Sequence, residues 1–444
     1  MGERQGAVEG VVVSPRHADF LVIGGGVIGL TIARELKSRY ADARVLVIEK
    51  EPALARHASG RNSGVLHAGF YYSADSLKAR FCRDGNRALR EYCEARGLPI
   101  RRSGKLVVAR DVLELPRLDE LFRRAQANGV EVERVSEAEA LTIEPRVKTY
   151  ERALWSPTTA TIDPVRVVEA MHRDAVAAGI EVCTGVAYRR RRQDRVLTSD
   201  GTLAAGFVVN AAGLYADRIA RQFGFARQYR ILPFKGLYLY SSEPEGALRT
   251  NVYPVPDLAN PFLGVHFTVT VDGHAKIGPT AIPCLWREQY GWLENFRAGE
   301  LLEVLGASVG LLFRAGFDFR GLAREEIRKY HRPHLVAKAS ELVRGVRRED
   351  WKTWGAPGIR AQLLDVRRRM LVMDFCTEGD DASLHVLNAV SPAFTCSIPF
   401  SRYVCDLIHG RLHGAAPGAP GTADTAPDAG AARAASGHAS PRLD

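Results

Sequence analysis

Apolar positions along the first fifty residues follow two rhythms. In "ADFLVIGGGVIGLTIARELKSRY" an unbroken apolar run, Phe20 to Ile23, ends in three glycines and gives way to apolar residues at helical spacing, and "ARVLVIEK" then returns to a short apolar run. This predicts a buried strand, a tight turn, a helix and a second strand, that is, a βαβ unit with a parallel sheet. Residues 114–128 and 163–179 read as helices, the second with Asp163 as its cap and Pro164 at its first position. "EVCTGVAY" and "GFVVNAAG" read as strands that resume the first sheet after an excursion. Alternating apolar residues make 226–282 β-rich, 297–345 reads as mostly helical, and "HVLNAVSPAFTCSIPFSRYVCDLIHG" gives a strand, a loop and a closing helix. From Gly414 onward the chain is Ala, Gly, Pro and small polar residues, which bury too little apolar surface to order it, so 414–444 is expected to be a disordered tail.

The chain has 444 residues, more than one ordinary core needs and enough for two interleaved domains; 46% apolar and 25% charged residues are typical of a soluble globular protein. The net charge of +10 favours acidic substrates or anionic surfaces, but the arginines are spread along the chain and no nucleic-acid partner is expected. The run "YRRRRQDR" reads as the solvated edge of a hairpin. The seven cysteines are scattered without zinc spacing, and His331 and His334 have no carboxylate or cysteine cluster nearby, so no metal is expected. The longest apolar stretch, Phe20 to Ala33, is glycine-broken and shorter than the ~20 residues of a membrane span. With no basic-then-apolar secretory signal at the N-terminus, the expected location is cytoplasmic. The helices within 297–345 carry apolar and basic residues that suit packing on a substrate domain or peripheral contact at the inner membrane face.

Gly24-x-Gly26-x-x-Gly29 follows the first strand and opens the helix, and Glu49, with Lys50 beside it, ends the next strand 20 residues past Gly29. Such a turn lets backbone approach a pyrophosphate at a helix N-terminus while the acid accepts from ribose hydroxyls. NAD and FAD share that ADP half. Three later features favour FAD. "SGRNSG" interrupts a continuous NAD-type βαβαβ run; "GVAY", with Val186, and "VVNAAG", with Ala211, Ala212 and Gly213, bring the chain back; "NAVSPAFT", with Ser391 and Pro392, sits near the C-terminus.

The stretches "SGRNSGVLHAGFYY", "TTATIDP", "VVNAAGLYAD", "LPFKGLYLY", "VYPVPD", "FLGVHFTVTVDGHAKIGPTA", "GIRAQL" and "NAVSPAFTCSI" occur in order over 19–410. On them the chain resembles the FAD-dependent oxidoreductases of the D-amino-acid oxidase superfamily, and within it the L-2-hydroxyglutarate dehydrogenase/oxidase family. Val390 and the Leu237-Tyr238 pair depart from the family's usual residues. The resemblance implies an α/β, two-domain flavoprotein: a Rossmann-like FAD domain from 19–105, 155–225 and 355–412, and a β-rich, helix-decorated substrate domain from 106–154 and 226–354. It places Ser59, Arg61, Asn62 and Ser63 against the cofactor and His67 near flavin and substrate. Oxidising a secondary alcohol removes a hydride from carbon and a proton from oxygen, so a neutral imidazole is a suitable base; His67 is the first candidate and His266 its competitor. A dicarboxylate needs its charge answered, for which Arg360 is the leading candidate, followed by Lys235 and Tyr253. The implied reaction is oxidation of L-2-hydroxyglutarate, or a close 2-hydroxy acid, to the 2-oxo acid, with oxygen, a quinone or a protein as electron acceptor. An amine or amino-acid oxidase on the same fold, and a non-catalytic flavin-holding module, are the alternatives.

Overall fold

The computed structural model describes residues 16–256, 264–314, 328–389 and 391–414, together with 321, 324 and 326. The expected tail beyond Gly414, Val390 and part of the expected helical stretch 297–345 lie outside the described residues.

The opening βαβ unit is strand Arg16–Ile23, helix Val27–Arg39 and strand Val45–Glu49, the two strands parallel with Phe20 opposite Val45 and Ile23 opposite Ile48. Phe20–Ile23 and Val45–Ile48, where the two strands pair, are buried, as parallel strands covered on two faces must be. Gly201–Asn210 joins the other side of the first strand, Glu181–Thr184 extends the sheet beyond the second, and Ser383–Asn388 pairs with residues 208–210, all parallel. Distant parts of the chain thus meet in one sheet. The basic segment forms the antiparallel hairpin Tyr188–Arg192 and Arg195–Thr198 at its edge.

Helix Val27–Arg39 buries eight residues and is clasped by Pro164–Ala177 and Ala393–Leu412. Asp163 caps the former as expected, accepting from the Val165 and Arg166 N–H groups. Thr31 and Ser401 hydroxyls meet at 2.6 Å and Arg39 pairs with Asp406 at 2.7 Å. Helix Leu77–Ala95 packs on the other side of Ala393–Leu412, where a side chain at Gly85 would collide with the Thr395 carbonyl at 2.0 Å.

A second eight-stranded sheet is assembled from 105–108, 133–136, 152–156, 239–241, 251–254, 266–269, 275–278 and 351–354. In a separate four-stranded sheet Tyr229–Gly236 pairs with Gly358–Asp365 over its whole length, Tyr229 opposite Asp365 and Gly236 opposite Gly358. The domain boundaries expected near 226 and 355 therefore separate two strands that are direct hydrogen-bonded partners. The reason is non-local: the antiparallel register joins segments over a hundred residues apart, which neither segment's own pattern reveals. All seven cysteines are free thiols. Among the described residues no helix is long and apolar enough to cross a membrane.

Candidate active site

The glycine turn is shaped by close approach. Gly24 has φ of +111°, and a Cβ there would sit 2.6 Å from the Ala211 carbonyl; a Cβ on Gly29 would sit 1.9 Å from the Gly24 carbonyl. Gly29 packs under the turn, while Gly24 and Gly26 face a cavity of about 720 Å³, within the range of ligand and cofactor sites. The helix N-terminus opens onto this cavity, and its first N–H, from Val27, donates to Ser59 Oγ at 2.9 Å. Glu49 accepts from the Gly25 and Glu51 N–H groups at 2.8 and 2.9 Å, one bond to each carboxylate oxygen.

Lys50, Val186, Ala211, Ala212 and Gly213 line the same end as Glu49; Ser391 and Pro392 line the wall formed by the start of helix Ala393–Leu412. Lys50 pairs with Glu288 at 2.8 Å and with Glu51. Glu51, His57 and Glu288 are the one group among the described residues with metal-ligand spacing, and the lysine ammonium already answers both carboxylates.

The polar loop holds itself together. Asn62 donates to the Ala58 and Ser59 carbonyls and accepts from Gly64 N–H, and Ser63 Oγ accepts from Val65 N–H. Arg61 stacks over the Tyr290 ring at 4.3 Å. All four predicted loop residues, Ser59 and Arg61 to Ser63, line the cavity.

At the loop's end His67 is fixed through its backbone, its N–H donating to Thr395 Oγ1 at 3.2 Å and its carbonyl accepting from the Cys82 thiol. His67 is 9% exposed, and its Nδ1 has no hydrogen-bond partner among the described residues. Burial, with Lys105 and His266 adding positive charge, pushes its pKa down to about 3, so it is the neutral, proton-accepting form at neutral pH. His266 is pushed down to about 3 as well, by burial foremost, although its Nδ1 donates to the Gly264 carbonyl at 2.8 Å. Tyr253 and His266 both line the cavity.

Arg360 lines it too, from the strand beginning at Gly358. A Cβ on Gly358 would lie 2.1 Å from the Arg61 carbonyl, so this glycine lets the arginine strand press against the loop. Burial pushes Arg360 down to about 10, and it stays cationic at neutral pH. Lys235 is placed elsewhere. Its neighbours Phe234 and Gly236 line the cavity, while Lys235 lies outside the lining and donates to the Tyr290 carbonyl at 3.2 Å. The strand's period of two carries it to the opposite face.

Several residues at this site escaped the sequence reading. Lys78 and Tyr71 line the cavity, and Lys105, 1% exposed, lies over the faces of Phe70, Tyr71 and Tyr253 at 4.5, 4.3 and 5.0 Å. Burial lowers Lys105 to about 7. Nothing in the pattern "GKLVV" separates such a lysine from one on a solvated strand.

A phosphate-sized cradle of close-packed glycines at a helix N-terminus, an acid at the next strand end and a long cavity leading to a neutral imidazole fit a flavin dinucleotide. The family model described as FAD dependent oxidoreductase matches residues 19–407. The L-2-hydroxyglutarate dehydrogenase of Caenorhabditis elegans mitochondria is 35% identical over 405 residues, covering 87% of this chain and 92% of that protein. The human mitochondrial enzyme of that name is 35% identical over 420 residues, 89% of each chain. In fold, the chain is similar to the L-alpha-glycerophosphate oxidase of Mycoplasma pneumoniae, solved with FAD bound, with a TM-score of 0.71 and 22% identity over 89% of this chain and 95% of that one. With the dinucleotide turn, the cavity and these matches in agreement, the chain belongs to the FAD-dependent oxidoreductase family, and within it to the family of the L-2-hydroxyglutarate dehydrogenases.

Proposed function

We propose that the protein oxidises L-2-hydroxyglutarate, or a close 2-hydroxy acid, to the corresponding 2-oxo acid. The observation that carries this reading is the cavity end where a buried neutral imidazole, His67, shares a lining with the cationic Arg360. FAD, when bound, supplies the acceptor for the hydride leaving substrate carbon 2. The chain's own residues do the rest. Gly24, Gly26 and the helix N-terminus at Val27 would hold the pyrophosphate, and Glu49 would hold the ribose. Arg360 fixes a substrate carboxylate through its planar fork. His67 takes the hydroxyl proton at a ring nitrogen, and the substrate's negative charge beside it offsets the burial and the neighbouring cations that otherwise depress its basicity. Tyr71, Tyr72 and Tyr253 line the cavity beside these groups, and aromatic walls keep water away and strengthen each of these interactions.

Anaerobic bleaching of the bound flavin by a substrate panel tests the reading. L-2-hydroxyglutarate is expected to reduce it, and glycine, sarcosine and D-amino acids are not. Reduction by the amines but by no 2-hydroxy acid would assign an amine oxidase instead, and a flavin reduced by neither class would leave a cofactor-holding module. The reading includes peripheral contact with an anionic membrane face, supported by Trp292, Leu293 and Phe296, which are 87%, 66% and 50% exposed in one short segment of a cationic chain.

A further inference from the structure

Four residues beyond His67 the chain offers the cavity a second polar group that the reaction chemistry above does not use. Tyr71 lines the cavity and is 8% exposed, and its phenol oxygen has no hydrogen-bond partner among the described residues. The backbone that carries it is pinned by the end of helix Leu115–Ala127. Arg124 donates to the Tyr71 carbonyl at 2.9 Å, and the Asn128 side chain donates to the Gly69 and Tyr72 carbonyls at 3.1 and 3.0 Å. The Tyr71 ring packs on Phe70, with centroids 4.7 Å apart. Burial raises the phenol well above its ordinary range, so at neutral pH it keeps its proton and can donate it. A buried donor without an acceptor costs about 1–3 kcal/mol, which an oxygen of a bound ligand recovers.

The neighbourhood says what kind of oxygen that is. The Lys105 ammonium, from strand Lys105–Val108, lies 4.3 Å from the centre of the Tyr71 ring and 5.0 Å from that of Tyr253, so one buried cation sits over the faces of two phenols that line the cavity. The two phenols are near enough for each to influence the other's ionisation. A cation on a ring face draws electron density from the ring, which makes the O–H at its edge a better donor and favours an anionic acceptor over a neutral one. An anion bound there also raises the lowered Lys105 pKa and keeps the lysine charged. In a 2-hydroxy acid the anionic oxygens are those of a carboxylate.

We propose that Tyr71 is a substrate-binding residue whose hydroxyl donates to a carboxylate oxygen of the substrate, with Lys105 as the positioning residue that favours negative charge in front of it. This rests on the reading of the site as one for 2-hydroxy acids.

The test uses FAD-loaded full-length enzyme, with Tyr71→Phe and Lys105→Met beside wild type. Tyr71→Phe removes one oxygen and keeps the ring beside the lysine. Stopped-flow flavin reduction over a range of L-2-hydroxyglutarate concentrations separates affinity from the limiting rate, and titration of the oxidised flavin's absorbance with 2-oxoglutarate reads binding without turnover. Losing a hydrogen bond to a charged group should weaken both bindings roughly 10- to 100-fold in Tyr71→Phe, with a smaller fall in the limiting rate. Lys105→Met should weaken them in the same direction; if it does not retain FAD, Lys105→Gln takes its place. Wild-type affinity in Tyr71→Phe, or a loss confined to the limiting rate, would overturn the proposal, and wild-type affinity in the lysine variants would overturn the part given to Lys105. A merely structural role for Tyr71 would lower the thermal midpoint and leave both affinities in place. Failure of the underlying reading shows separately, as wild-type flavin that no 2-hydroxy acid bleaches.

Discussion

The His266 imidazole lies flat against the Tyr253 ring, centroids 3.7 Å apart and planes 18° from parallel, while its Nδ1 is held by the Gly264 carbonyl. That hydrogen bond commits Nδ1 as a donor and fixes the ring's tautomer. His67, by contrast, is anchored through its backbone. The two imidazoles share one cavity but are constrained in different ways.

This difference predicts unequal kinetic effects. His67→Gln should keep FAD and slow flavin reduction roughly 10²–10⁴-fold, the span of a positioned base, with the loss in the chemical step. His266→Gln should lose less, mainly through looser packing on Tyr253. Stopped-flow reduction of both variants decides, and a His67→Gln enzyme that reduces its flavin at the wild-type rate would hand the base role to His266.

The same burial sets a pH dependence of stability. Both imidazoles have folded pKa values of about 3, against an ordinary value of about 6.5, so between those limits the unfolded chain binds more protons than the folded one. Their contribution is complete above about pH 6.5 and is lost as pH falls toward 3, at about 1.4 kcal/mol per pH unit for each ring. Urea unfolding of FAD-saturated wild type and His67→Gln at pH 6 and pH 5 should show wild type losing about 1.4 kcal/mol more than the variant. Equal losses would mean that His67 is not held neutral by burial.

Glycine contacts make a third prediction. A methyl group on Gly29 would strike the Gly24 carbonyl, and one on Gly358 would strike the Arg61 carbonyl. Gly29→Ala and Gly358→Ala should each destabilise by about 1–3 kcal/mol, the usual cost of overpacking, and Gly29→Ala should release FAD more readily. Gly306→Ala is the control, because among the described residues nothing lies within 4 Å of its added carbon and it sits in a helix, where alanine is favoured. Thermal midpoints and retained flavin absorbance check all three.

The exposed apolar segment gives a fourth. Wild type should float with vesicles containing anionic lipid, and a Trp292→Ser, Phe296→Ser double variant should float less while its flavin is still reduced normally. Equal flotation of the two proteins would remove that segment as the contact.

What could be read from sequence, and what could not, divides along the range of the forces involved. The turn around Gly24 and Gly29 and the acid at Glu49 are set by local backbone geometry, and so is the Asp163 cap with Pro164 behind it; each announces itself within a few residues. Lys78 and Lys105 gave no such sign. Helix Leu77–Ala95 is amphipathic, with lysine and arginine throughout, and Lys78 is buried by what packs over it from elsewhere in the chain. The misplacement of Lys235 had a local remedy, since strand alternation excludes it once Phe234 and Gly236 are known to face inward. The pairing of 229–236 with 358–365 had none.

Helix Ala393–Leu412 bears on the protein's birth as well as its architecture. It seals the first helix through Thr31 and Ser401, 370 positions apart, and its start supplies one wall of the cofactor cavity. A ribosome that has delivered the glycine turn and even the Arg360 strand has still not delivered that wall. A nascent chain thus carries its nucleotide-binding turn long before it has anything to close over the nucleotide. Loading with FAD is therefore expected to follow synthesis of this helix, and a chain terminated before it is expected to be recovered without the cofactor.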